Sequence, residues 1–383
     1  MAKLRSLLHL AGWVLCTFVP AIGVAANLTV PGRWTEARAN AWAAEHAWPV
    51  GANYVPRTAI NQLEMWQAAT FDVETIDQEF GWASEIGFNA MRVFLHDLLW
   101  QQDAPGFLQR IDRFLEVAER HQIKILFVFF DGVWDTHPYL GQQRPPRPFI
   151  HNSGWVQSPG REILRDAARH EALKPYVQGV LRHFKDDPRI LGWDLFNEPD
   201  NPNTEAYGGI ELPNKAAAAL TLLEKAFRWA REVEPSQPLT AGVWLDYDGW
   251  KRNPPIYQFM LANSDVISFH NYAAPENMAR QVAEMKGTFD RPIWCTEYMA
   301  RGAGSRFDPV LGDLKRANVG AFHWGLVDGK SQTIYPWETW KQNYTAEPKP
   351  WHHDVFRGDG TPYLEAEFDY VRFVTGVGAA VSR

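Results

Sequence analysis

The chain has 383 residues, 46% of them hydrophobic and 22% charged, which is enough apolar content to fill a large core and excludes wholesale disorder. A formal net charge of −7 supplies no basic footprint for nucleic acid and no polybasic membrane anchor, so the expected ligand is neutral. The length suits a single α/β barrel with insertions but does not settle the domain count.

At the N-terminus, Lys3 and Arg5 precede an apolar run from Leu7 to Ala25 that is interrupted only by His9, Thr17 and Pro20. The run ends in Val24-Ala25-Ala26, small residues spaced as a signal peptidase needs them. This predicts a cleaved secretory signal over 1–26, a catalytic domain over 27–383, and a secreted or periplasmic protein with no membrane contact after cleavage. Cys16 falls in the leader and leaves Cys295 alone in the mature chain, so no intramolecular disulfide is expected. The mature protein is expected to be a monomer.

Beyond the leader, apolar runs of strand length alternate with amphipathic helical stretches, the signature of repeated βα units around a parallel sheet. Eight strands are predicted: Trp48–Val55, Ala90–Leu95, Ile123–Phe130, Ile190–Phe196, Pro238–Trp244, Val266–His270, Pro292–Tyr298 and Gly320–Leu326. Most are almost continuously apolar, as strands covered on both faces must be. Helices are expected over Asp72–Ile86, with Asp72 as cap and Gly87 as stop, and over Phe107–His121, Arg165–Phe184, Lys215–Val233, Pro275–Lys286, Asp308–Ala317 and Tyr363–Phe373. The link around Pro254–Ala262 carries only a faint helical pattern. The fold class that follows is a (β/α)8 TIM barrel in one domain.

Two connections are long, Asp131–Leu164 after the third strand and Asp328–Phe356 after the eighth. Both leave the C-terminal ends of strands, where barrel active sites are assembled. They are rich in aromatic residues, and the chain holds 18 tryptophans in all, whose flat apolar faces suit sugar rings. Trp134 and Trp155 on the first of these loops are therefore expected to line a cleft.

The fourth strand ends in Asn197-Glu198-Pro199 and the seventh in Thr296-Glu297-Tyr298. Strands four and seven face each other across a barrel mouth, so two carboxyl groups meet over one cleft. Cleaving a glycosidic bond needs such a pair, because the leaving oxygen must be protonated while charge builds at the anomeric carbon. A separation of about 5–5.5 Å gives a covalent intermediate and retention, and about 6.5–9.5 Å gives inversion. The closer spacing is expected, with Glu297 ionised and its charge raising the pKa of Glu198.

With these motifs in order, the chain resembles clan A glycoside hydrolases, the 4/7 superfamily, and is most similar to the cellulase-type family 5. The resemblance implies a retaining hydrolase of β-linked polysaccharides or oligosaccharides of glucan, xylan or mannan type, with Glu198 as acid/base, Glu297 as nucleophile and no cofactor. It further implies that Arg92 supports the nucleophile, Asn197 contacts the sugar 2-hydroxyl, His270 and Tyr272 orient the two carboxyls, and Trp324 forms the platform under the sugar. The chain departs from the family where a histidine usually follows strand three, since Phe130-Asp131-Gly132 supplies Asp131 there. The alternatives are an inactive glycan-binding barrel and a metal-assisted barrel hydrolase. His96-Asp97 and His352-His353-Asp354 lack the spacing of a zinc site and read as surface or rim residues, so no metal is expected.

Overall fold

A computed structural model describes residues 28–377; the predicted signal over 1–26 lies outside them. All eight predicted strands are present: β1 (Val50–Tyr54), β2 (Ala90–Phe94), β3 (Lys124–Asp131), β4 (Ile190–Asn197), β5 (Leu239–Thr240), β6 (Ile267–His270), β7 (Ile293–Glu297) and β8 (Val319–Trp324). Their order is β5-β4-β3-β2-β1-β8-β7-β6, with every pair parallel. A parallel bridge between Val243 and Phe269 joins the two edges and closes the (β/α)8 barrel.

Strand β5 is shorter than the predicted Pro238–Trp244, spanning Leu239–Thr240 with only the Val243 bridge beyond it. A Cβ at Gly242 would stand 2.8 Å from Ser268 Oγ and 3.1 Å from the Ser268 carbonyl oxygen. Side-chain bonds replace part of the ladder: Thr240 Oγ1 donates to the Val266 carbonyl at 2.7 Å and lies 2.6 Å from Ser268 Oγ.

Alternation along β2 explains how the barrel acquires a polar layer. Met91 and Val93 pack outward into the main core under the helices, while Ala90 and Phe94 belong to separate apolar clusters inside the barrel. Ala90 sits in the lower cluster with Leu126, Leu191, Val266, Trp294 and Phe322; Phe94 sits in the upper one with Val128, Trp134 and Trp155. Arg92, two residues from each, is thereby forced between them, fully buried.

The helix Val73–Glu85 is capped as expected: Asp72 Oδ1 accepts from Thr75 N at 3.1 Å, and Gly87 follows at φ 79°. The faint pattern after β5 folds as a helix, Pro255–Asn263, with proline in its first turn. The predicted Arg165–Phe184 helix is instead three pieces, Arg161–Leu164, a 3-10 turn over Arg169–Leu173, and Lys174–Phe184, where Pro175 starts a new helix. The predicted Phe107–His121 helix begins earlier, at Asp97, with non-helical backbone at Asp103 just before Pro105. Two capped helices outside the predicted set, Glu36–Ala44 and Gln62–Trp66, precede and follow β1. Among the described residues no helix is long and apolar enough to cross a membrane.

Candidate active site

At the C-terminal mouth of the barrel lies a cavity of about 390 Å³, lined by Glu198 and Glu297 together with Asp131, Trp134, Trp155, Asn197, Tyr272 and Trp324. Its size falls in the range of small-molecule sites, about 300–1,000 Å³. Of the ten residues singled out in the sequence, eight line it, and the other two, Arg92 and His270, lie beneath and hold the carboxyls in place.

Glu297 ends β7 and is held by two donors. Arg92 Nη1 donates to Oε1 at 2.8 Å and the Tyr272 hydroxyl donates to Oε2 at 2.7 Å. Arg92 also binds Asp194 through Nε and Nη2 at 3.1 and 2.8 Å, Asn53 Oδ1 at 2.8 Å and Asn197 Oδ1 at 2.8 Å. Supporting Glu297 and neutralising Asp194 are thus one role. Asn53 is anchored in turn by donating to the Thr296 and His323 carbonyls. Burial pushes the Glu297 carboxyl above the usual range and the neighbouring Glu198 charge adds to that, while Arg92 and Tyr272 pull it back. A guanidinium and a phenol on its two oxygens favour the ionised form of this group over Glu198.

Glu198 follows β4 with left-handed backbone, φ 41°. Its Oε1 shares a 2.8 Å hydrogen bond with His270 Nδ1, and its Oε2 accepts from Asn201 Nδ2 at 2.6 Å. Burial pushes its carboxyl up to about 7, with Asp200 the leading charge that raises it further and Asn201, Arg92 and Lys215 opposing. Desolvation, rather than the Glu297 charge expected from the sequence, is the larger cause of that rise, because Glu198 is buried. Burial also lowers His270 to about 4, which keeps its ring neutral at ordinary pH.

One carboxylate oxygen of Glu198, one of Glu297 and a ring nitrogen of His270 lie within 4.8 Å of one another. They form the one group of potential metal ligands among the described residues, although Arg92 and Tyr272 already engage both oxygens of Glu297.

Asp131, which stands where the family has histidine, organises its neighbours. Its Oδ2 accepts from Trp155 Nε1 at 2.6 Å, and its Oδ1 accepts from Asn197 Nδ2 at 2.9 Å and from Val133 N at 3.1 Å. Buried with these donors, it is pushed up to about 6, chiefly by desolvation. One hydrogen of the Asn197 amide is therefore committed to Asp131, leaving the other for a ligand. The adjacent Gly132 cannot carry a side chain, since a Cβ there would lie 2.3 Å from the Glu198 carbonyl oxygen. Lys215 ties the same two loops together, donating to the carbonyls of Gly132 and Asn201 and to Glu211.

The aromatic walls include the expected rings. Trp155 and Trp324 meet edge to face at 5.8 Å, and each meets Phe94 in the same way. Trp134 stacks on Trp340 at 5.8 Å. Residues outside the predicted set also reach the cavity: Asn201, Trp244, Trp337, His151 and His353. Trp244 was legible as the end of the fifth apolar run and Trp337 as part of the long eighth loop, whereas Asn201 and His151 carry no local signal. His352-His353-Asp354 and His96-Asp97, expected at the surface or rim, are all buried. The long loops fold over them; His353 Nδ1 pairs with the Met299 carbonyl and His96 Nε2 with that of Gln157.

A family profile described as a glycosyl hydrolase catalytic core matches residues 182–312, which hold both glutamates. Mannan endo-1,4-β-mannosidase 7 of Arabidopsis thaliana is 27% identical over 123 residues, covering 29% of this chain and 28% of its own length. The probable mannan endo-1,4-β-mannosidase A-2 of Aspergillus terreus is 21% identical over 138 residues, covering 36% and 30%. The chain thus spans no more than about a third of these curated relatives. Among solved structures, an exo-β-1,4-mannosidase from Opitutaceae bacterium strain TAV5 superposes with a TM-score of 0.57 at 18% identity, covering 86% of this chain and 59% of its own. GH5_18 from Streptomyces cattleya gives 0.57 at 13% identity, covering 88% and 82%. The matched core is that of a glycosyl hydrolase and the shared fold is the barrel, both in keeping with the resemblance read from the motifs.

Proposed function

We propose that the protein is a retaining glycoside hydrolase that cleaves the O-glycosidic bonds of β-linked polysaccharides or oligosaccharides. The observation that carries this reading is the pair of buried carboxyls with oxygens within 4.8 Å of each other and opposite electrostatic company. In the first step Glu297 bonds to the anomeric carbon as the glycosidic C–O bond breaks, and the leaving oxygen takes the proton of Glu198. In the second, Glu198 takes a proton from water, which displaces Glu297 and restores the starting configuration. Arg92 and Tyr272 fix the Glu297 carboxylate, His270 and Asn201 fix Glu198, and Trp324 gives the sugar an apolar face.

The relatives are named for β-1,4-mannan, so mannosides are the first substrates to try, followed by glucans and xylans. The names of the solved neighbours include both exo- and endo-acting enzymes and leave the mode of attack open. Export by the 1–26 signal and action as a monomer complete the proposal. Proton NMR of the first-formed anomer on the best substrate of that panel tests it: the β anomer is expected from a β-linked substrate, and the α anomer would overturn retention.

One observation favours a second reading, a metal-assisted hydrolase: Glu198, His270 and Glu297 could together ligate a cation. A chelator titration separates the two, because double displacement between carboxyls is insensitive to it. Loss of turnover on chelation, restored by a divalent cation, would favour the metal.

A further inference from the structure

Both long loops, 131–164 after β3 and 328–356 after β8, meet over the cavity. His151 N donates to Thr339 Oγ1 at 3.0 Å, Asn152 N to the Ser331 carbonyl at 2.8 Å, and Trp340 Nε1 to the His151 carbonyl at 2.8 Å. The His151 ring pairs with the Tyr335 carbonyl at 2.7 Å, Gln332 accepts from Phe149 N and donates to the Arg147 and Ile150 carbonyls, and Trp134 stacks on Trp340. Two loops joined by this many bonds across one line form a seam, and His151 and Asn152, whose backbone N–H groups both donate across it, are buried. Behind the cavity wall of Trp155 and Trp324, residues Phe94, Asn152 and Thr333 leave only about 10 Å³, room for no more than about one water.

The border on the β4 and β5 side is looser, tied to the β8 loop by the exposed Lys341–Glu205 ion pair and by Tyr207 packed edge-on against Trp340. Pro202, Thr204 and Glu205 on the loop after β4 are exposed, and Trp244 and Asp246 after β5 are half-buried.

The proposed chemistry gives this asymmetry a direction. Glu297 attacks the sugar that keeps its anomeric carbon, and that carboxylate is held from β1 and β2 through Asn53 and Arg92, beside Trp324 of β8. Glu198 protonates the departing oxygen and directly follows β4, with Asp200 two residues on bonded to Trp244. The attacked sugar therefore sits toward the seam, and the leaving group sits toward the exposed β4 and β5 loops.

We propose that the joined β3 and β8 loops close the glycone end of the cleft, so that the enzyme removes units from the non-reducing ends of β-linked chains rather than cutting within them. This rests on the hydrolase reading above. The end hydroxyls of the terminal sugar face the wall, and the rest of the chain passes out over Trp244.

The test uses the full chain and hexasaccharides of β-1,4-linked mannose, glucose, N-acetylglucosamine and xylose, each with its non-reducing end free or capped by a methyl ether at the 4-hydroxyl. Early products are read by mass spectrometry. The free hexamer that serves as substrate is expected to yield a monosaccharide and a pentamer first, and its capped form to react roughly a hundredfold more slowly. Mid-chain fragments from a capped hexamer would overturn the closed end while leaving the hydrolase reading intact. No cleavage of any hexamer, together with no labelling of Glu297 by 2-deoxy-2-fluoroglycosyl fluorides, would overturn both. Trp340→Ala, which removes the stack and the bond to the His151 carbonyl, is expected to admit the capped hexamer and release disaccharide; an unchanged product pattern in the folded variant would count against the seam. Thr339→Ala removes one bond across the seam, along with the hydroxyl's local bond to the Pro336 carbonyl, and gives the same reading if the larger change fails to fold.

Discussion

The two sides of the active site hold the same side chain in different ways. On the β7 side, Glu297 is the last residue of a strand, and its oxygens meet a guanidinium and a phenol anchored on β2 and just after β6. On the β4 side, Glu198 has just left its strand at φ 41° and meets a neutral imidazole and an amide. A nucleophile must stay ionised and stay put, whereas an acid/base must lose and regain a proton within one turnover. The cation is placed where ionisation is needed and withheld where a proton must reside.

The largest effect expected of this difference is between the two alanine variants. Glu297→Ala removes the covalent route, so turnover should fall by several orders of magnitude on every substrate, with no glycosyl-enzyme seen by mass spectrometry. Glu198→Ala should slow substrates with poor leaving groups in the same way yet form the intermediate at a near-normal rate from an activated aryl glycoside. Azide, which needs no base, should then rescue turnover with retained configuration. The opposite assignment of phenotypes would exchange the roles of the two residues.

A smaller effect follows from taking away the cation. Arg92→Met keeps most of the volume but leaves Asp194 and Glu297 buried without their partner. Breaking a buried pair in this way costs about 3–5 kcal/mol, which a thermal melt will read as a large drop. His270→Ala on the β4 side removes a neutral partner and should cost less stability, about 1–3 kcal/mol. Equal losses would mean that the two sides are held by the same physics after all.

Much of this was open to a reader of the sequence, for reasons that can be named. Apolar runs ending in a glutamate, such as Ile293–Glu297, are legible because a strand buried on both faces has few polar residues to confuse it. Arg92 is legible because no charge belongs in Ala90–Phe94 unless something inside the barrel requires it. The environment of each charge was not legible. Asn201 is turned in by the left-handed Glu198 backbone, His151 by bonds to residues 184 and 188 positions away, and the Gly132 carbonyl by Lys215, 83 positions away. The His352-His353-Asp354 run looked polar and proved buried, because hydropathy cannot anticipate a long loop closing over it. Gly132 is a further case: its need for a bare Cα arises only because the Glu198 carbonyl passes beside it.

The smallest and finest effect is in the pH dependence. Glu198, pushed up to about 7 by burial, must be protonated to give its proton away, so kcat/KM on a poor leaving group should fall as pH rises through about 7. Glu297 must be ionised to attack, and its raised carboxyl sets the acid limb, giving a bell. With an activated aryl glycoside the first step needs no proton, and its basic limb should disappear. Stability moves in the same window and has to be separated from this. Asp354 is buried and pushed up to about 7, and Asp131 to about 6, both above the ordinary aspartate value. For a group whose folded pKa is raised, the folded state holds a proton that the unfolded chain releases. Its contribution to stability is then full below the unfolded value, near 4, and is lost as pH rises through 6 to 7. Asp354→Asn removes one such titration while keeping an oxygen for Thr333, whose hydroxyl donates to Asp354 at 2.7 Å. That variant should melt with a flatter pH dependence and keep the basic limb of the wild type. If the limb shifts with the melting curve instead, it reports loss of the fold, and the proton on Glu198 has to be sought by another route.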